Sequence, residues 1–247
     1  MTESPQRKII VVPGPDQLAA AAAERVIARI KARTGRVAIC LTGGSCPKKL
    51  YELLGTEFHD QIPWERVHWF IGDDRFVPQD HELSNMGTAR RLFLERCAPA
   101  ENVHPIPTTA GNPNEAATIY QTELASFYGA DSLDAGRPLF DVVLMGIGPD
   151  GHTASLFPKA AALCEKRRWV VGVGIANVAP FVPRITLTLP ALASCREMLF
   201  LVSGHEKREI VTRLFSGEDL PAAWAHSQGE TVWLADKAAL PENFHDA

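Results

Sequence analysis

Seven short runs rich in β-branched and aromatic residues recur along this chain with helix-forming stretches between them, and this rhythm restricts the fold more than any other feature. The runs are KIIVV (8–12), VAICL (37–41), VHWFI (67–71), FDVVLM (140–145), WVVGVG (169–174), EMLFLV (197–202) and TVWLA (231–235). They are continuously apolar and not strictly alternating, the pattern of strands covered on both faces. Apolar residues at three- and four-residue spacings predict helices over 15–34, 46–54, 84–96, 113–128 and 204–215, with cap-forming residues such as Ser84 and Asn114 near several starts. Strands alternating with helices predict a doubly wound α/β fold, in which a mostly parallel sheet is flanked by crossover helices.

A chain of 247 residues with 46% hydrophobic content can bury one large core, and its length permits one large α/β domain or two small ones. No linker or repeat interrupts it, and the Ala-rich tract LAAAAAERVIARI (18–30) reads as an amphipathic helix, so one domain over 1–247 is expected. The net charge is −4 with dispersed Lys and Arg, which argues against a nucleic-acid partner and leaves a small anion as the expected ligand. The five cysteines form no C-x-x-C pair, which argues against a disulfide framework or zinc site and fits a reducing cytoplasm. The first residues lack an apolar signal core, and no run approaches the ~20 apolar residues of a membrane span, so a soluble, unexported protein without a membrane partner is expected. No H-x-x-x-H pair with a partner carboxylate occurs, and no metal site is assigned. The sequence leaves the oligomeric state open, with a monomer as the working expectation.

The segment FDVVLMGIGPDGHTASLF (140–157) joins a buried-strand pattern to a glycine-punctuated turn carrying Asp150 and His152. Open α/β sheets place their chemistry at such strand ends, because the strand fixes the turn while the turn leaves polar side chains accessible. Gly146, Gly148 and Gly151 satisfy G-x-G-x-x-G literally, but Asp150 would set a carboxylate where a pyrophosphate should lie. Pro158 breaks the run early, and Ile175-Ala176-Asn177 follows the next strand in place of an acidic ribose ligand, so the dinucleotide reading is rejected. His152 is then either a general base beside Asp150 or a packing and capping histidine.

Three further segments carry candidates. In LTGGSCPKKLYELL (41–54) a strand ends at Thr42-Gly43-Gly44-Ser45 before a helix, which is either a phosphate cradle of free N–H groups or an ordinary tight turn with a Ser cap. In FIGDDRFVP (70–78) a strand ends in Asp73, Asp74 and Arg75, where the arginine either grips an anion or belongs to a solvated salt-bridged loop. Ser84 and Asn85 read as a helix cap. In PRITLTLPAL (183–192) and SGHEKREIV (203–211), Arg184 and Lys207 either reach a strand-end cleft or lie on the surface. Neither G-x-x-x-x-G-K-[ST] nor G-x-S-x-G is present, which argues against a Walker A loop and a serine hydrolase elbow.

Taken together, LTGGSCPKKLYELL, FIGDDRFVP with LSN, MGIGPDGHTASLFP and RITLTLPAL resemble the 6-phosphogluconolactonases in order and wording, and SGHEKREIV and TVWLADKAAL extend the likeness to the C-terminal part. PDGHTASLFP is specific to that group, whereas the GGS turn is shared with the related glucosamine-6-phosphate deaminases and isomerases. The resemblance implies cytoplasmic hydrolysis of a small phosphosugar lactone, 6-phospho-D-glucono-1,5-lactone, in the oxidative pentose phosphate pathway, without metal or organic cofactor. By the same resemblance His152 would activate water, with Asp73 and Asp150 as polar supports. Gly43, Gly44, Ser45, Arg75, Arg184 and Lys207 would hold phosphate or sugar acid. Two positions depart from the family's wording: Asp74 stands where Asp-Glu-Arg has glutamate, and Cys46 where G-G-S-T-P has threonine.

Lactone opening needs a positioned water, a base and donors for the developing oxyanion, and histidine's ordinary pKa near ~6.5 suits that base. Two rival readings are separable by sequence. The deaminase/isomerase group follows its histidine with a segment of the A-F-N-E-P kind, where this chain has Ala154-Ser155-Leu156-Phe157-Pro158 and no acid. A non-catalytic sugar-phosphate sensor is expected to carry a basic DNA-binding module, and here strands begin within the first ten residues.

Overall fold

The computed structural model describes residues 8–176, 178–242 and 244. β1 (Lys8–Val12) leads into α1 (Pro15–Lys31), where proline's fixed φ suits the first turn and Leu18, Ala22, Val26 and Ile30 face the core. β2 (Val37–Leu41) is buried at every position and is followed by α2 (Cys46–Leu54), again with a proline in its first turn. Next come β3 (Val67–Ile71), β4 (Asp73–Arg75) and a helical stretch of α3 (Asn85–Ala89), a π-helical segment (Arg90–Leu94) and α4 (Glu95–Cys97). Asn112, not Asn114, caps α5 (Pro113–Tyr128), and Gly129 in the left-handed region at φ 77° stops it. β5 (Phe140–Met145), β6 (Val170–Val173), β7 (Arg184–Leu187), α6 (Leu189–Ala193), β8 (Cys195–Val202), α7 (Arg208–Phe215), α8 (Pro221–Trp224) and β9 (Glu230–Asp236) complete the order.

Six strands form one sheet in the order β1-β9-β8-β5-β2-β3, with every pairing parallel, and helices pack against it as the strand–helix rhythm predicts. Its apolar strands interdigitate in one continuous core, where Phe200 and Trp233 are register partners on β8 and β9 and stack with ring centroids 3.8 Å apart. Glu197 of β8 is buried between Arg25 and Arg29 of α1, so that helix is tied to the sheet by charge as well as by apolar contact. Among the described residues, no helix is long and apolar enough to cross a membrane.

The 169–174 run departs from expectation. It forms β6 of a separate three-stranded antiparallel sheet, ordered β4-β7-β6, and not a strand of the parallel sheet. Consecutive apolar residues encode burial but not the partner to which their backbone bonds. The helix predicted over 204–215 also divides, into a 3-10 turn at His205–Lys207 and α7.

The sheet order locates the cleft. β2 connects outward to β3, whereas its neighbour β5 connects through β8 and β9 in the other direction. Where neighbouring strands leave toward opposite edges, their outgoing loops part and open a crevice at the carboxyl end of the sheet. The Thr42–Ser45 turn leaves β2 there, the Gly146–Ala154 turn leaves β5, and the segment bearing Lys207 follows β8.

Candidate active site

A cleft of about 200 Å3 opens at that crevice, with Thr42, Gly43 and Gly44 on one side and Gly146–Gly148, His152, Thr153 and Ala154 on the other. The small antiparallel sheet brings Asp73, Arg75 and Arg184 to the same cleft, and Lys207 reaches it from beyond β8. Ser45 is exposed at the start of α2, outside this lining, and its side chain makes no cap hydrogen bond. Asp150 is also outside the lining and meets the cleft through His152.

The imidazole of His152 is oriented by its own turn. Nδ1 lies 2.5 Å from Oδ1 of Asp150, which also accepts the His152 backbone N–H at 3.2 Å. An ionised carboxylate only accepts, so Nδ1 is the donor in this contact, and in the neutral ring the lone pair falls on Nε2. Burial raises the Asp150 pKa, but the hydrogen bonds and charge of His152 outweigh that and hold it below the ordinary carboxylate value. The ring rests on Gly148, where a Cβ would lie 2.0 Å from the imidazole Cε1, and its other side meets Phe157 at a centroid distance of 4.7 Å. Gly151 turns the chain at φ 84°, a conformation that L side chains rarely adopt.

The opposite wall is cationic. Arg75 and Arg184 are register partners on antiparallel β4 and β7, so their side chains leave the same face of the ladder. Arg184 is only 2% exposed; one Nη donates to Pro180 O at 3.0 Å, while Nε–H is buried and meets no acceptor among the described residues. Burial lowers the Arg184 pKa, Asp73 opposes this, and the neighbouring charge of Arg75 lowers it further. Arg75 donates from Nη1 to Leu83 O at 2.8 Å, and its Nε–H is likewise buried and unpartnered. Lys207 donates from Nζ to Ile147 O at 2.8 Å, which ties the cation to the turn after β5.

Of the paired aspartates, Asp73 faces the cleft and accepts from Ser155 Oγ at 2.6 Å. Asp74 faces inward with no exposure. Its carboxylate accepts from the N–H groups of Arg75, Asn85 and Met86 and from Ser84 Oγ at 2.7 to 3.2 Å, closing the start of α3. Burial still raises its pKa to about 6 against the lowering pull of those N–H donors. Cys46 begins α2 outside the cleft lining.

Ser84 is the N-cap read from the sequence, accepting from Gly87 N–H at 2.9 Å, but Asn85 does more than follow a cap. Its carboxamide lies in the cleft wall, donates from Nδ2 to Asp73 O at 2.9 Å, and fills the space where a Gly43 Cβ would stand 2.1 Å away. Its place in the LSN wording was the available signal. Thr42, Thr153 and Ala154 also line the cleft without a signal of their own, and Ala154 sits at φ 48°.

The family described as glucosamine-6-phosphate isomerases/6-phosphogluconolactonase matches residues 13–233. A 6-phosphogluconolactonase from Synechocystis sp. is 40% identical over 219 residues, covering 86% of this chain and 87% of that protein. Another from Nostoc sp. is 37% identical over 246 residues, covering 96% and 98% respectively. The solved structure of 6-phosphogluconolactonase from Trypanosoma cruzi superposes with a TM-score of 0.85 at 28% identity and covers 98% of each chain.

Proposed function

Because the chain belongs to the glucosamine-6-phosphate isomerase/6-phosphogluconolactonase family, we propose that it hydrolyses 6-phospho-D-glucono-1,5-lactone to 6-phospho-D-gluconate, with His152 as the general base. One observation carries the reading: an imidazole oriented by Asp150 through Nδ1 shares its cleft with two guanidinium groups whose buried Nε–H donors lack acceptors among the described residues. Such donors cost free energy until an anion meets them, and a phosphate offers several acceptor oxygens at once. Arg75 and Arg184 thus hold the phosphate, assisted by Lys207 and the Gly43-Gly44 turn.

In this mechanism His152 Nε2 takes a proton from water as the water oxygen attacks the lactone carbonyl carbon. Asp150 stabilises the resulting imidazolium. The tetrahedral oxyanion then collapses, the ring C–O bond breaks, and the imidazolium returns its proton to the departing alkoxide. Asp73 serves as a polar support whose own position Ser155 fixes. Phosphate held by the arginines confines the ester carbon near the imidazole, converting an encounter with water into a positioned reaction. The same reading treats residues 1–247 as one cytoplasmic domain.

A pH-stat assay with lactone generated in situ tests the proposal, using the nonphosphorylated lactone as comparison. Acid release well above the spontaneous rate, with strong preference for the phosphorylated ester, is expected. A rate equal to spontaneous decay overturns the reading. Among the described residues that line the cleft only Asp73 is acidic, so no ammonia release from glucosamine 6-phosphate is expected.

A further inference from the structure

Two buried tyrosines make the same unusual contact at neighbouring strand ends. Tyr51 of α2 accepts the Thr42 N–H at 3.0 Å and donates to the Thr42 carbonyl at 2.7 Å. Tyr120 of α5 accepts the Ile71 N–H at 3.1 Å and donates to the Ile71 carbonyl at 3.2 Å. Each phenol therefore engages both backbone groups of one residue, as an opposing residue does in a hydrogen-bonded pair of an antiparallel ladder. Their rings are 0 to 1% exposed, and Tyr51 stacks on Phe93 at 5.3 Å.

The two clasped residues stand where the cleft segments begin. Leu41 and Ile71 are register partners, and Gly72 N–H still reaches Leu41 O at 2.9 Å, but beyond that point β2 and β3 separate. One path enters Gly43-Gly44, and the other enters Asp73-Asp74-Arg75. Without another partner, the last peptide groups before the separation would be buried and unpaired, or would have to move to reach water.

We propose that Tyr51 and Tyr120 are positioning residues for the hydrolysis: through Thr42 and Ile71 they fix the Gly43-Gly44 turn and the Asp73–Arg75 strand at the distance the phosphorylated lactone requires. Tyr51 closes a ten-residue ring, 42 to 51, containing the whole glycine turn and the first turns of α2. Tyr120 anchors the root of the strand that carries Asp73 and Arg75. Burial raises both phenol pKa values, so each hydroxyl keeps its proton and both of its bonds throughout the working pH range.

This inference rests on the lactonase reading and is tested by Tyr51→Phe and Tyr120→Phe, which remove one oxygen and retain the ring. Below the thermal transition, kcat/KM for the phosphorylated lactone should fall by about 10- to 100-fold, the scale associated with small misplacements of reacting groups. For Tyr51→Phe the larger part should lie in KM, and hydrolysis of the nonphosphorylated lactone should change little. Phe93→Leu serves as the control, because it loosens packing around Tyr51 without removing the hydroxyl and should lower Tm while leaving KM unchanged. Folded Tyr51→Phe with unaltered kcat and KM, or Phe93→Leu with an equal rise in KM, overturns the proposal. Amide exchange on the unaltered protein provides a check independent of variant folding: the Thr42 and Ile71 N–H groups should exchange only through global opening, and loop-like exchange overturns the clasp. If the unaltered protein leaves the lactone untouched while these amides remain protected, the functional reading fails and the clasp stands.

Discussion

Arg75 and Arg184 face each other across the β4–β7 ladder with like charges on one face, and each buries an Nε–H that lacks an acceptor among the described residues. Like charges directly opposite one another destabilise a sheet, and a buried unmatched donor adds to that cost. Both disadvantages disappear when a phosphate lies between the guanidinium groups. Inorganic phosphate should therefore raise Tm, by mass action of about 2.7 kcal/mol at 100 times its Kd. Arg184→Gln should abolish most of this rise and increase KM for the phosphorylated lactone while leaving the nonphosphorylated lactone little affected. Thermal scans across a phosphate series, with kinetics on both esters, measure this directly.

His152→Gln should lower kcat by about 10²- to 10⁴-fold, the usual contribution of a general base, with little change in KM. Asp150→Asn should also lower kcat, because an amide can donate to Nδ1 and thereby permit the wrong tautomer. Burial raises the Asp150 pKa, but its hydrogen bond with His152 and that residue's charge outweigh burial and keep it below the ordinary carboxylate value, so Asp150 remains charged as pH falls to about 4. Its contribution to stability is fully present above its unfolded value and declines only as pH falls through its lower folded value. An acid limb above pH 5 in the kcat profile of the unaltered enzyme thus belongs to a group other than Asp150.

Gly148→Ala should reduce kcat while preserving the fold. The new methyl would occupy space 2.0 to 2.1 Å from the His152 ring, so the imidazole must turn away from its position. A displacement approaching 1 Å costs about 10²-fold in rate. Circular dichroism and phosphate-induced stabilisation should remain near those of the unaltered protein.

Asp74 and His68 should shift stability in opposite directions over overlapping pH ranges. Burial raises the Asp74 pKa to about 6, so the folded state holds more protons than the unfolded state between about pH 4 and 6, and stability from this group falls as pH rises through that window. His68 is lowered to about 4 by burial, then by the charges of His104 and Arg36, so the unfolded state holds more protons between about 4 and 6.5 and stability rises with pH. Asp74→Ala should remove the falling slope and, by leaving several donors unmatched, cost about 1–3 kcal/mol. His68→Gln should remove the rising slope. Urea unfolding from pH 4 to 7 separates the two effects.

Much of the fold was legible because burial on both faces leaves an unmistakable apolar run, as in VAICL, which forms β2 with every residue buried. β4 gave no such signal: Asp-Asp-Arg carries no apolar residue, and its strand character comes from β7, more than a hundred residues away. β6 joined the small sheet through its own antiparallel pairing with β7, which its apolar run did not announce. The Asp150–His152 turn was legible because both residues and their enforcing glycines are contiguous, whereas Arg184 could be read only as a candidate until β7 set it opposite Arg75. Tyr51 was invisible as anything but an apolar helix position, since the contact that distinguishes it involves another residue's backbone.

The small antiparallel sheet also separates what may vary from what may not. Strand residues alternate between two faces, so loss of a single residue within β7 would turn Arg184 away from Arg75 and bring Ile185 into the cleft instead. The loops on either side can lengthen or shorten without altering that parity. Natural length variation among homologous chains should therefore accumulate on both sides of Arg184–Leu187 and stop at its edges, as a backbone constraint on charge that acts independently of which sugar is bound.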